Sequence, residues 1–300
     1  MKVKDVPIKP RIHTIPETSN FAAALKILVD NKILSAPVVN SEGLVTGQLD
    51  LVDLIVFIVH LSKRAQEIFV SLGLLSEDKT INFSDLHVDK QLQDLFDAYD
   101  DSTSIANFSK RNSIVTVSLE QSLADLFESL VTYHRVVVLD PSTKALQNYI
   151  TQSDLIKLLY KNKDLIGDLG RRTVGDLALG STPVVSVREN QQVLEAFKLV
   201  AIKNVSSIAV VNSNGTLTGE IGPRDMRNMN PDELIDQILV LCKELVSKTL
   251  PPITVKATDS LLSVIERLET EARHRVWVVD DNNKLQAVIS IGDVLRVLIK

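Results

Sequence analysis

Four aspartates recur at one place in a repeated pattern. Asp53, Asp154, Asp225 and Asp293 each follow, by thirteen or fourteen residues, an acid or amide that ends a short run of branched aliphatics. Two of them stand three residues after a hydroxyl, in Thr151-Gln152-Ser153-Asp154 and Ser290-Ile291-Gly292-Asp293. Two chemistries suit that spacing. A Ser or Thr at a helix N-cap with an acid at the third helical position is a capping box. Alternatively, a carboxylate can accept from both hydroxyls of a ribose while the adjacent helix N-terminus offers N–H groups to phosphate.

Cations recur too. His134-Arg135 and His274-Arg275 stand immediately before the aliphatic runs Val136–Leu139 and Val276–Val279. A basic pair beside a buried strand is either a solvated edge or an anion site. The twofold recurrence favours the second, because pairing two copies about a pseudo-twofold axis gathers the pairs on one face, where Arg chelates phosphate bidentately and His donates. The hydroxyls Thr14, Thr116, Ser186 and Thr254 sit in small β phrases upstream, as contacts for adenine or phosphate or as ordinary strand hydroxyls. Two copies depart from the pattern. The first has Asp50 where the hydroxyl belongs, and the third reads Gly222-Pro223-Arg224-Asp225, losing the hydroxyl and gaining a cation.

The elements that position these residues are one unit written four times. The upstream hydroxyl precedes the strand-ending Asn40, Asp140, Asn212 or Asp280 by 26, 24, 26 and 26 residues. Between them lies a helical pattern, as in Leu123, Leu126, Phe127 and Leu130, or Val193, Phe197, Val200 and Ala201. A polar cluster such as Ser41-Glu42-Gly43 then turns the chain into a second strand, and a second helix opens near the aspartate, at Asp53–Leu61, Asp154–Tyr160, Asp225 onward and Asp293–Ile299. The unit is β-α-β-β-α, an α/β (α+β) pattern that leaves apolar faces uncovered, so copies should pair. The aspartates are 101, 71 and 68 residues apart, so the first interval carries an insertion, about 64–107, with a helix expected over Asp89–Tyr99.

This grammar resembles the cystathionine-β-synthase (CBS) domain, found in tandem pairs called Bateman modules, and the resemblance covers nearly the whole chain. Within that superfamily the chain is similar to the four-repeat gamma subunits of AMP-activated protein kinase and their plant and fungal relatives. The carrying residues are His134-Arg135 and His274-Arg275 before the valine strands, Val205-Ser206 in the third repeat, and Asn107-Phe108-Ser109-Lys110-Arg111-Asn112. The resemblance implies two Bateman modules packed as a pseudo-symmetric disc. One spans 1–165, with repeats at about 3–63 and 108–165; the other spans 166–300, with repeats at about 172–235 and 246–300.

It further implies a non-catalytic sensor of AMP, ADP or ATP. Asp53, Asp154, Asp225 and Asp293 would hold ribose, and His134, Arg135, His274, Arg275, Arg224 and Ser206 phosphate. Thr151, Ser290, Thr116, Ser186, Thr254 and Thr14 would make the remaining contacts. Leu34 replaces a phosphate-binding Arg usual in the gamma family, which with Asp50 argues against a polyanion at Asp53. Implied partners are a kinase catalytic subunit and a beta-type subunit, or a second copy in a homodimer. The alternatives are a stand-alone scaffold with degenerate clefts, or a sensor of NAD or S-adenosylmethionine.

Composition bounds the rest. The formal charge of -5 gives no global basic field for nucleic acid or an anionic membrane, so any anion must be held by local cations. A lone Cys242 in an apolar setting cannot make an intrachain disulfide, and it reads as a buried thiol in a cytoplasmic or nuclear protein. The greasiest run, Leu51–Leu61, is short and contains Asp53 and His60, so neither signal peptide nor membrane span is expected. No Walker ending follows the glycines at 167–180, and His-Glu-x-x-His, Cys-x-x-Cys and Gly-x-Ser-x-Gly are absent. His13, His60 and His87 lack clustered partners. The expectation is a chain with no enzyme activity, no prosthetic group and no metal.

Overall fold

The computed structural model describes residues 2–56, 59, 109–110, 113–229 and 234–299. The expected insertion helix Asp89–Tyr99 and its flanking loops lie outside the described residues. Four three-stranded sheets are present, one per repeat: β1 (Ile15–Pro16), β2 (Ser35–Val39), β3 (Val45–Asp50); β4 (Thr116–Val117), β5 (Arg135–Leu139), β6 (Leu146–Thr151); β7 (Ser186–Arg188), β8 (Ile208–Val211), β9 (Leu217–Ile221); β10 (Thr254–Val255), β11 (Arg275–Val279), β12 (Leu285–Ser290). In each sheet the first strand runs parallel to the second, as a helical crossover requires, and the second is antiparallel to the third.

The strand-ending acid or amide has a structural cause. Its side chain bonds back to the turn: Asn40 Oδ1 accepts from Glu42 N at 3.0 Å and Leu44 N at 2.9 Å. Asp140 accepts from Ser142 N and Thr143 N, Asn212 from Asn214 N and Thr216 N, and Asp280 from Asn282 N and Lys284 N. A short side-chain acceptor two residues before the donors makes an Asx turn, and this turn closes each hairpin. The same register shift immediately precedes the turn residue in each repeat, at Val38/Val39, Val138/Leu139, Val210/Val211 and Val278/Val279.

The helices between first and second strands are amphipathic, and they bury Leu126, Phe127 and Leu130 in the second repeat and Val193, Phe197 and Val200 in the third. Assembly then follows two kinds of face. Sheets meet between repeats one and two, where Tyr149 Oη donates to Gln48 Oε1 at 3.2 Å. They meet again between repeats three and four, where Trp277 Nε1 donates to Glu220 Oε2 at 2.8 Å. Helices meet across the other diagonal of contacts: Leu261–Thr270 packs on Gln152–Lys161, and Ile291–Leu298 on Leu123–Tyr133.

The two large apolar cores follow the helices. One joins repeats one and three, through Leu28, Leu54 and Ile55 with Phe197, Val200 and Met226; the other joins repeats two and four, through Leu126, Leu155 and Ile156 with Val264, Ile265 and Leu295. Four repeats thus sit at the corners of a disc in the order one, two, four, three, and each corner is tied by a sheet face on one side and a helix face on the other. Arriving segments lace the pairs together: Val3 N donates to Gln121 O, Val174 N to Asp259 O and Cys242 N to Gln191 O. The helix Cys242–Val246 lies so close on β9 that a Cβ at Gly219 would stand 2.5 Å from Val246 Cγ1. Cys242 is buried, as expected, and burial pushes its thiol up to about 12. Among the described residues no helix is long and apolar enough to cross a membrane.

Candidate functional site

A cavity of about 630 Å³ occupies the centre of the disc, between the starts of the second strands and the N-termini of the helices that follow the third. Register shows why these positions converge. Ser35 pairs with Asp50, Arg135 with Thr151 and Arg275 with Ser290, and Ile208 pairs with Ile221, which places Ser207 opposite Gly222. Each corner therefore presents the same two strand ends inward. Just before them stand Leu34, His134, Ser206 and His274. His134 occupies the left-handed C-cap of its helix, with φ 59°, which ends the helix and swings the chain into β5.

The lining carries eight cationic side chains (Lys9, Lys32, Arg135, Arg224, Arg227, Arg273, Arg275, Arg296) against five carboxylates (Asp50, Asp154, Glu220, Asp225, Glu269). A cavity with three excess positive charges inside a chain of formal charge -5 is suited to an anion. The two halves differ. Arg135 Nη1 donates to Asp50 Oδ2 at 2.8 Å, with both side chains at most 15% exposed. Burial works against both charges, but each holds the other: the Asp50 carboxyl lies below the usual carboxylate range and the Arg135 guanidinium above its ordinary value. Arg275 donates to Ser207 O at 2.6 Å and to Ser206 Oγ, and burial pushes it down to about 10.

Arg273 pairs with Glu220 at 2.8 Å. Beyond these bonds, Arg224 Nη1, Arg227 Nε, Arg273 Nε and Arg275 Nε are buried without a hydrogen-bond partner among the described residues. His274 opens onto the same space, where Ser153 Oγ lies 3.2 Å from its Nε2. Burial and then the guanidiniums of Arg275, Arg224, Arg135 and Arg227 push it down to about 4, so it is neutral at pH 7. Buried donors left unmet cost of the order of 1–3 kcal/mol each, more when charged, which an anion would recover.

All four repeat aspartates act as helix caps. Asp154 Oδ2 accepts from Thr151 N and Thr151 Oγ1, each at 2.8 Å, and Asp293 Oδ2 from Ser290 N at 2.9 Å and Ser290 Oγ at 2.7 Å. Asp225 accepts from Gly222 N, and Asp53 from Asp50 N. The helices consequently open before the aspartates rather than at them: Gln152–Lys161 and Ile291–Leu298 start two residues earlier. The helix expected from Asp225 onward is only Pro223–Met226. The capping role leaves carboxylate oxygen available, since Asp154 also meets Lys9 at 3.0 Å and Asp293 Oδ1 meets Arg296 at 2.8 Å. Burial raises Asp225 to about 6.

The cavity gathers His134, Arg135, Thr151, Asp154, Ser206, Arg224, Asp225, His274, Arg275 and Ser290. It does not gather the upstream hydroxyls: Thr14 precedes β1, Thr116 and Thr254 open β4 and β10, and Ser186 opens β7 beside a separate cavity. Asp53 is fully buried beneath Asp50, and Asp293 lies behind Ser290. Sequence reasoning missed Arg227, Arg273, Lys9 and Glu220. Arg273 was within reach of a signal, as the first member of Arg273-His274-Arg275; Glu220 carried none, because its role depends on facing Arg273 and Trp277 from another repeat.

The chain matches the family model of the CBS domain over residues 3–60, 107–161, 174–230 and 242–300. Relatives include an Arabidopsis thaliana SNF1-related protein kinase regulatory subunit gamma-1-like, 28% identical over 200 residues, covering 60% of this chain and 45% of that protein. The Sus scrofa 5'-AMP-activated protein kinase subunit gamma-3 is 29% identical over 202 residues, covering 62% and 38%. The chain thus spans less than half the length of these two relatives. The Arabidopsis SNF1-related protein kinase regulatory subunit gamma-like PV42b is 23% identical and covers 99% of this chain and 94% of its own. Among solved structures, a Methanocaldococcus jannaschii protein described as a candidate archaeal homologue of g-AMPK superposes with a TM-score of 0.75 at 17% identity, covering 99% of both chains, a likeness of fold.

Proposed function

From the premise that this chain belongs to the CBS domain family, with four copies, we propose that it is a non-catalytic regulatory protein that binds an adenine nucleotide in the central cavity. The observation that carries this reading is that the side chains of Arg224, Arg227, Arg273 and Arg275, each with a buried nitrogen lacking a hydrogen-bond partner among the described residues, line one space of nucleotide size. Phosphates satisfy those donors, each charge-assisted bond contributing about 1.5–3 kcal/mol. Asp225 and Asp154, at helix N-termini on the cavity wall, are the acceptors for ribose hydroxyls, with Thr151 and Ser290 beside them. The sheet-to-sheet contacts between repeats one and two and between three and four support a division into modules 1–165 and 166–300, with the cavity lined by both.

AMP, ADP and ATP would compete for this cavity and differ in how many of its cations they engage. Such exchange shifts an equilibrium only by differential affinity for two arrangements of the four corners. Relatives named as kinase gamma subunits support a kinase catalytic subunit and a beta-type subunit as the partners that read the shift. Calorimetric titration with AMP, ADP, ATP, NAD and S-adenosylmethionine tests the reading. We expect at least one adenine nucleotide to bind with micromolar to sub-millimolar affinity, about -8 to -5 kcal/mol. Absence of heat and of thermal shift with all five at millimolar concentration would leave a stand-alone scaffold.

A further inference from the structure

We propose that Asp50 is a specificity determinant, an internal anion that occupies the Arg135 guanidinium and so confines phosphate to the other half of the cavity. The inference rests on the nucleotide-binding reading and adds which half takes the charge. It comes from comparing the chain with itself. The helix-capping position that faces the cavity is Asp50, Thr151, Gly222 and Ser290 in the four repeats, and only the first is charged. In the first module the strand-opening Arg135 meets this carboxylate at 2.8 Å; in the second, the strand-opening Arg275 donates instead to Ser207 O and Ser206 Oγ, and the equivalent Gly222 has no side chain to offer.

Steric fit holds both ends of this asymmetry in place. A Cβ at Gly222 would stand 2.6 Å from Ser206 O, so that corner cannot carry its own acid without moving the strand. Asp50, by contrast, is fixed twice, since its Oδ1 also accepts from Asp53 N at 2.9 Å. A carboxylate oxygen bonded to a guanidinium occupies it with the same sign of charge as a phosphate oxygen would. An incoming phosphate would have to displace it and strand a buried charge, which is costly in a site of low dielectric. Arg275, Arg224 and Arg227 have no such competitor at their unpaired nitrogens.

The experiment replaces the acid with the hydroxyl found at the equivalent fourth-repeat position. Wild type, Asp50→Ser and the double variant Asp50→Ser/Arg135→Gln are melted and titrated with tripolyphosphate, ATP and adenosine, with Asp50→Asn as a second charge-removing variant that keeps a capping side chain. Without ligand, Asp50→Ser melts below wild type because Arg135 is left buried and unpaired. Tripolyphosphate or ATP then stabilises it more than wild type, with affinity for the phosphorylated ligand tightened about ten- to hundredfold, the span of one charge-assisted bond. Adenosine affinity stays within about twofold, and adding Arg135→Gln abolishes the gain. A wild type that binds ATP beside charge-removing variants with unchanged phosphate response overturns the inference alone. A silent wild type beside a responsive Asp50→Ser overturns the nucleotide reading alone. Silence from every form overturns both.

Discussion

Arg275 is the residue on which the proposed phosphate recognition would most depend. It is buried, it has given up only backbone and hydroxyl acceptors, and its Nε is unmet. Arg275→Gln should therefore weaken ATP by about 1.5–3 kcal/mol while changing adenosine little, as read by calorimetry. Equal losses for the two ligands would place Arg275 in folding rather than in phosphate binding. His274 makes the second prediction at this scale. Held down to about 4 by burial and neighbouring guanidiniums, it will rise when an anion neutralises those charges. Binding is then coupled to proton uptake, and affinity strengthens as pH falls from about 6.5 towards 4. Calorimetry in buffers of different ionisation enthalpy measures the uptake, and His274→Asn should remove its excess over the free ligand's own protonation.

Among elements, the helix starts matter most, because Asp154 and Asp225 each cap a helix and line the cavity with one carboxylate. Asp154→Ala and Asp293→Ala lose the N-cap bonds as well as any ribose contact, and should cost about 0.5–2 kcal/mol in chemical denaturation even without ligand. Asp225 behaves differently, since burial raises it from 3.8 to about 6. Between those values the folded state keeps a proton that the unfolded state has released, so stability falls as pH rises from about 4 to 6 and is level above. Asp225→Asn keeps an acceptor for Gly222 N without the charge. It should be more stable than wild type at pH 7 by about 1–3 kcal/mol, with the difference vanishing below pH 4. A constant difference across pH would assign Asp225 an ordinary pKa.

The whole molecule is held by cores that cross the sequence midpoint. Residues 166–300 alone would expose Val264, Ile265, Leu268 and Leu295 of one core and Phe197, Val200 and Met226 of the other, all buried in the full chain. Apolar surface of that extent does not stay in water. Expressed separately, this half should self-associate or aggregate, whereas the full chain unfolds with repeats one and three coupled, and two and four coupled. Size-exclusion chromatography with light scattering decides the matter, and a stable, monomeric half would show that the sheet contacts suffice.

Repeat number, the β-α-β-β-α unit and its hairpins were legible in the sequence because they are local. Short runs of branched aliphatics, helical apolar spacing, and an acid or amide placed to close its own turn act within about 60 residues, and the fourfold recurrence of the Asp140-type turn made them unmistakable. The candidate cations were legible by the same repetition, as His134-Arg135 and His274-Arg275. The role of the aspartates was legible only as two open alternatives, since a capping acid and a ribose acceptor share one spacing. Tertiary structure decided which corners touch. The sequence order suggests that neighbours one and two share everything, yet the large cores join one to three and two to four, because helix faces and sheet faces of each unit point in different directions. It also decided the electrostatics of the cavity. Asp50 and Arg135 are 85 residues apart and Arg273 and Glu220 are 53 apart, so whether a guanidinium is satisfied or left open depends on distances that local spacing does not encode.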